Sequence, residues 1–299
     1  HHNPAAGREY CVSGYLSGPE HIAHVFDALG YDHEYVTAKQ FNTDTAYYLR
    51  KIAAYISSGV PVLVKTNLND IPAWKSDVGT HCLIVGYHPE KNTLELLVSG
   101  TKPIEYEMTG ENKLDLIFIG EKRREVSREE VYRNIVKKMA YWLTLPERDG
   151  LYFGSAAYRA WADDIEQGRF AEEGLPLWEN YGVYVCNLAT NGDFAMFHLR
   201  ELAEMNPRYS DLSHLNAEIL KLTPTEKPDG NGKNLLWIQL DELGGGMDMD
   251  AVRETMRDKE KRSKVAAALR DYAKRLDQAV GLLSEQIPEG YSPKEKPEI

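Results

Sequence analysis

The residue in this chain best suited to chemistry is His81, in the stretch GTHCLIVGY. It stands between a polar loop containing Trp74 and an apolar run, LIVGY, that reads as a buried strand. Such a strand would hold an imidazole at the rim of a cleft, where a group titrating near neutrality works as a general base. A histidine satisfied by backbone at a strand end is the plainer alternative. Cys82 follows directly. Adjacent strand residues take opposite faces, so Cys82 reads as a small buried apolar residue. Cys186, in GVYVCNLA, reads the same way on a helix. His21, His24 and His33 fall within a short span, but no cluster of cysteines or carboxylates has ligand spacing beside them, so no metal and no cofactor is expected.

The elements that must position His81 alternate in kind. PEHIAHVFDALGY puts Ile22, Val25, Phe26 and Leu29 at helical spacing, with Gly30 as the stop. A short strand at EYV follows. TDTAYYLRKIAAYISSG repeats the helical pattern through Leu49, Ile52, Ala53 and Ile56. VPVLVK, HCLIVGY, TLELLVSG, IEYEM and LDLIFIG then read as strands, with HPEKN as a hairpin turn. Helices followed by an antiparallel run predict an α+β domain over residues 1–122.

From Ser127 the reading is helical. Ser127 and Glu130 have capping-box spacing ahead of a helix with Val131, Ile135, Met139 and Trp142. Further helices are expected near 153–166, 175–190, 194–205, 211–221 and 248–285, with a polar loop at 224–234 and a turn at GGG, 244–246. The last helix carries Val265, Leu269, Tyr272, Leu276, Ala279 and Leu283 on one face, the pattern of bundle packing. The expected organisation is therefore an α+β domain at 1–122, an all-helical domain at 123–287 and a flexible tail at 288–299.

Composition bounds the function. The chain has 299 residues, 42% of them hydrophobic, and a net charge of −11. That acidity argues against nucleic acid and against an anionic membrane surface as partners. The apolar stretches, such as VPVLV at 60–64, fall far short of the roughly 20 residues a membrane span needs. The N-terminal HHNPAAGREYC has neither a basic region nor an apolar core, so it does not read as a signal peptide. Three cysteines fit a reducing cytoplasm better than a disulfide framework.

The order SGVPVLVKTN, a loop with Trp74, GTHCLIVGYHPEKN and TLELLVSG resembles the second half of the papain-like fold in its bacterial bacteriocin-processing-peptidase version. The resemblance covers about residues 20–120. The stretches GLYFGSAAYRAWADDI, LWENYG and NGDFAMFHLRELAEM look like the helical half of butirosin-biosynthesis acyltransferase-like proteins. Together these imply a papain-like N-terminal domain with an antiparallel sheet, and acyl transfer or amide hydrolysis through a cysteine thioester. By position His81 becomes the catalytic base and Cys11 the candidate nucleophile, with a cysteine further upstream or no nucleophile as alternatives. The family's orienting acid falls near Ser99, and a serine holds an imidazolium less well than a carboxylate does. Asn92, Asp77 and Asp70 are the substitutes. An arginine of the acyltransferase-like group corresponds to Arg200, which would touch substrate or the other domain; an interhelical salt bridge is the alternative. Trp74, Trp161 and Trp178 are candidates for lining a cleft between the domains, with Asp77 beside them; ordinary core packing is the alternative. The expected partners are a small-molecule or peptide substrate, an acyl carrier and a second copy of the chain. A binding protein on the same fold, with its triad broken at Ser99, is the competing expectation.

Overall fold

The computed structural model describes residues 9–11, 19–66, 81–98, 102–108, 110–147, 150–190, 194–226 and 233–287. These residues form two compact units of mixed α+β structure. One holds the elements from Pro19 to Lys122 and runs to Val126; the other holds strand β1 (Glu9–Cys11) and everything from Ser127 onward. The sequence reading puts residues 1–122 in one domain, so β1 is a correction. Its cause is Tyr10, which is buried and stacks on Trp161, meets Tyr184 edge-on, and donates its hydroxyl to the buried carboxylate of Asp164.

The sheet unit begins with α1 (Pro19–Leu29), β2 (Tyr31–Val36), α2 (Ala38–Thr43) and α3 (Thr45–Ser57). A capping box between Thr37 and Gln40 starts α2, a short helix that the periodicity did not disclose. Asp44 ends α2 and caps α3 by accepting from the Tyr47 amide. Strands β3 (Val62–Lys65), β4 (His81–His88), β5 (Thr93–Leu97), β6 (Ile104–Glu107) and β7 (Asp115–Lys122) follow. They assemble with β2 into a six-stranded sheet, order β2-β7-β3-β4-β5-β6, in which every pair is antiparallel. Val62 and Val64, Cys82 and Ile84, and Leu94 and Leu96 alternate onto one face and form a core with Phe41 of α2 and Ile52 of α3. Helix α1 turns a different side inward from the one expected. Phe26 and Ala28 are buried, Phe26 stacks on His33 of β2, and Val25 and Leu29 remain 49% and 43% exposed.

The second unit contains α4 (Arg128–Leu143), β8 (Leu151–Phe153), α5 (Gly154–Glu166), α6 (Val183–Thr190), α7 (Phe194–Met205), α8 (Ser210–Leu222), α9 (Leu235–Glu242), α10 (Met249–Arg257) and α11 (Lys259–Gln286). Ser127 caps α4 as its spacing predicts, but the inward stripe is Val136 and Met139 with Tyr132 and Leu143. The region taken as wholly helical holds a strand, β8, which pairs in parallel with β1. The single helix expected at 248–285 is two. Asp258 ends α10 and caps α11 by accepting from the amides of Glu260 and Lys261. A π-helical turn at Trp178–Gly182 leads into α6.

Two large cores and a small cluster around Leu145 and Phe153 fill this unit. One is aromatic, built from Tyr10, Tyr158, Trp161, Tyr181, Tyr184 and Tyr272. The other is aliphatic and joins α4, α7 and α8 to the end of α11. Helix α11 serves both: Val265, Leu269 and Tyr272 enter the first, Ala279 and Leu283 the second. Its face is the one the sequence predicts. Among the described residues no helix is long and apolar enough to cross a membrane.

Candidate functional site

His81 is the first residue of β4, a central strand lying between β3 and β5. In register, His81 stands directly opposite Lys65, the last residue of β3, and Lys65 stands opposite Asp115, the first residue of β7. A row of three ionisable residues therefore crosses neighbouring strands at one end of the sheet. Asp115 is firmly held: one carboxylate oxygen accepts from the Tyr35 hydroxyl at 2.6 Å, the other from the Ala38 amide at 2.7 Å. Burial first, and then the hydrogen bond and charge of Asp115, push the Tyr35 phenol above its usual range. Among the described residues Lys65 has no ion-pair partner, and it is half-buried.

The three thiols differ. Cys82 is buried in the sheet core, and burial pushes its pKa up to about 12. It stays protonated at neutral pH and is a poor nucleophile, as its place on the strand predicts. Cys186 lies on α6 and is half-buried rather than buried. Cys11 ends β1, opposite Phe153 of β8, so its backbone is strand and not the first turn of a helix. It belongs to the second unit, whereas His81 belongs to the sheet unit.

Asn92 is not placed to orient His81. It occupies the turn beyond the far end of β4, with φ of +53°, and its amide donates to the Met108 carbonyl at 2.7 Å. At about 3.4 Å per residue, β4 alone separates the two by on the order of 20 Å. Ser99, Trp74, Asp77 and Asp70 lie outside the described residues. Trp161 is fully buried in the aromatic core, and Trp178 opens the π-helical turn, its ring against Gly182; both pack the second unit. Arg200 is half-buried on α7. His33 is taken up by its stack on Phe26, and among the described residues no group of three histidines, cysteines or carboxylates converges on a common point.

Lys65 and Asp115 are the residues that sequence reasoning missed. Each sits at the end of a strand that the sequence discloses, VPVLVK and LDLIFIG. Their alignment with His81 depends on the pairing of distant strands. The chain matches no protein-family model, and no curated protein matches it.

Proposed function

We propose that the chain is a cysteine-peptidase-like protein with a papain-like sheet unit, acting as an amide hydrolase or acyltransferase on a small molecule or peptide. In this reading His81 takes the proton of the Cys11 thiol. The thiolate attacks an acyl or amide carbonyl, a C–S bond forms, and the C–N or C–O bond of the substrate, or the C–S bond of a carrier thioester, breaks. His81 returns the proton to the leaving group, and water or an acceptor amine then resolves the thioester. The observation that carries this is the position of His81 at the opening of a central antiparallel strand, within a row of ionisable residues. The inertness of Cys82 supports Cys11 as the thiol. An acyl carrier fits as donor in the transferase version.

The test is alkylation of the native protein across pH, with mass mapping of each cysteine. An unperturbed thiol titrates near 8.5. The reading expects Cys11 to react rapidly below about pH 7, and His81→Ala to abolish that reactivity. A Cys11 that titrates like a free thiol removes the catalytic reading. The strand conformation at Cys11 favours a second reading, a catalytically inactive binding protein, because a strand, unlike the first turn of a helix, does not lower the thiol pKa. Calorimetric binding of small amines to a protein with an ordinary Cys11 thiol is its expected outcome.

A further inference from the structure

We propose that the open edge of the sheet at β6 takes up an extended, basic peptide segment as a further strand. The inference goes beyond the functional reading above and does not depend on His81 or Cys11.

The backbone argument comes first. Strand β6 ends the sheet order, so among the described residues its only pairing partner is β5. Just past β6, the Met108 amide donates to the Asn92 carbonyl at 3.0 Å, and these two residues continue the register of the pair. Bonded and non-bonded pairs alternate along an antiparallel ladder. Ile104 and Tyr106 therefore turn their peptide groups toward β5, and Glu105 and Glu107 turn theirs outward. Those two N–H and two C=O groups are a template for another strand, the mode in which an extended peptide adds to a sheet edge.

The side chains decide which strand fits. Ile104 and Tyr106 lie against the sheet core on one face. Glu105 and Glu107 stand exposed on the other, with Glu95 of β5 directly opposite Glu105. Lys91 meets Glu105 at 3.5 Å and His88 meets Glu95 at 3.0 Å, whereas Glu107 has no ion pair among the described residues; Lys102 precedes the strand. Thr93, directly opposite Glu107, is 7% exposed and its hydroxyl has no hydrogen-bond partner, so an ammonium group seated beside Glu107 finds an acceptor there. A second copy of the chain is a poor occupant. Any antiparallel pairing of β6 with itself that uses both outward residues sets glutamate against glutamate, and like charges directly opposite are destabilising. A strand with lysine or arginine at alternate positions reverses that sign. Apolar residues between them extend the face of Ile104 and Tyr106.

The test is amide hydrogen exchange read by NMR on the full chain, with a capped octapeptide alternating lysine and valine as the probe. In the free protein the amides of Glu105 and Glu107 should exchange fast and those of Tyr106 and Met108 slowly. Saturating peptide is expected to slow exchange at Glu105 and Glu107 by about tenfold or more, and the affinity should fall as salt rises. The lysines stand opposite the two glutamates, so N-methylation of the lysines should abolish the protection and N-methylation of the valines should leave it. Glu107→Gln should weaken binding by about two- to fivefold. Glu107→Pro removes an outward N–H without removing a bond to β5, and should weaken binding further. Protection of Glu105 and Glu107 already present in the free protein overturns the proposal, because the edge is then covered. It is equally overturned by a peptide that gives no protection at about 1 mM, by binding indifferent to lysine N-methylation, or by an alternating glutamate–valine peptide that binds as well. If Glu107→Pro does not fold, the two N-methylated peptides decide the matter on the unaltered protein.

Discussion

The two units bury their polar groups differently. The sheet unit has a mainly aliphatic core, and one of its well-held carboxylates, Asp115, sits half-buried at the end of a strand with a phenol and a backbone amide. The second unit sinks a carboxylate to zero exposure. Asp164 lies among tyrosines and a tryptophan, satisfied by the Tyr10 hydroxyl and by Arg169 at 3.0 Å. A buried charge with named partners is costly to disturb, whereas a rim carboxylate can fall back on water. The second unit should therefore respond sharply to single changes that leave the sheet unit indifferent.

The largest break in that comparison is Trp161→Ala, expected to cost about 3–5 kcal/mol through the cavity left in the aromatic core. Hydrogen exchange should show lost protection in α5, α6 and α11 and unchanged protection in β3, β4 and β7. Gly154→Ala comes next, at about 2–4 kcal/mol. Gly154 has φ of +50°, and an added Cβ would lie 2.0 Å from the Leu143 carbonyl oxygen, a backbone atom that cannot step aside. The sheet-unit counterpart, Gly86→Ala, meets the side chain of Glu95, whose carboxylate can swing aside while its Cβ at 3.0 Å must give only slightly, and should cost about 1–2 kcal/mol by chemical denaturation. Tyr10→Phe strips a donor from Asp164 and should cost about 1–3 kcal/mol; Tyr35→Phe leaves Asp115 its amide partner and should cost about 1 kcal/mol.

Titration sharpens the comparison from both ends. Burial, partly offset by Glu201, pushes His198 of α7 below its ordinary pKa. Its neutral form is favoured on folding, so stability of the second unit falls as pH drops from about 6.5 through the folded value. Cys82 works in the opposite sense. Its thiol is raised on folding, so the stability it gives is complete below about pH 9 and is lost as pH rises toward about 12. Urea melts at pH 5.5 and pH 10 should show α7 and β4 losing exchange protection respectively, with Cys82→Ala removing its share of the alkaline loss. The smallest effect expected is that of Asn92→Gly, within about 1 kcal/mol, since glycine adopts positive φ freely. It should leave Cys11 alkylation unchanged, because Asn92 stands beyond the far end of β4.

What could be read from sequence divides along the same line. Periodicity reports on contacts within one element, so the face of α11 from Val265 to Leu283 was legible residue by residue. It failed at α1, where Val25 and Leu29 fit the pattern but the helix turns Phe26 and Ala28 inward, with Phe26 stacked on His33 of β2. It could not report β8, a three-residue strand whose partner lies far away in the chain. At the candidate site His81 and its strand were legible from composition. Lys65 and Asp115 were visible as residues but not as neighbours, because register is set by pairing between remote segments. Asn92 was misjudged for the converse reason: nearness in sequence becomes distance along an extended strand.

The anchoring of Tyr10 also bears on how the protein is made. Its hydroxyl meets a carboxylate 154 positions later in the chain. At synthesis rates of about 5–20 residues per second, Tyr10 leaves the ribosome on the order of 10–30 s before Asp164 exists. The whole sheet unit is synthesised within that interval. Strand β1 therefore waits for partners made after the whole sheet unit, and a nascent chain carries an unburied tyrosine-bearing segment until the aromatic core arrives to receive it.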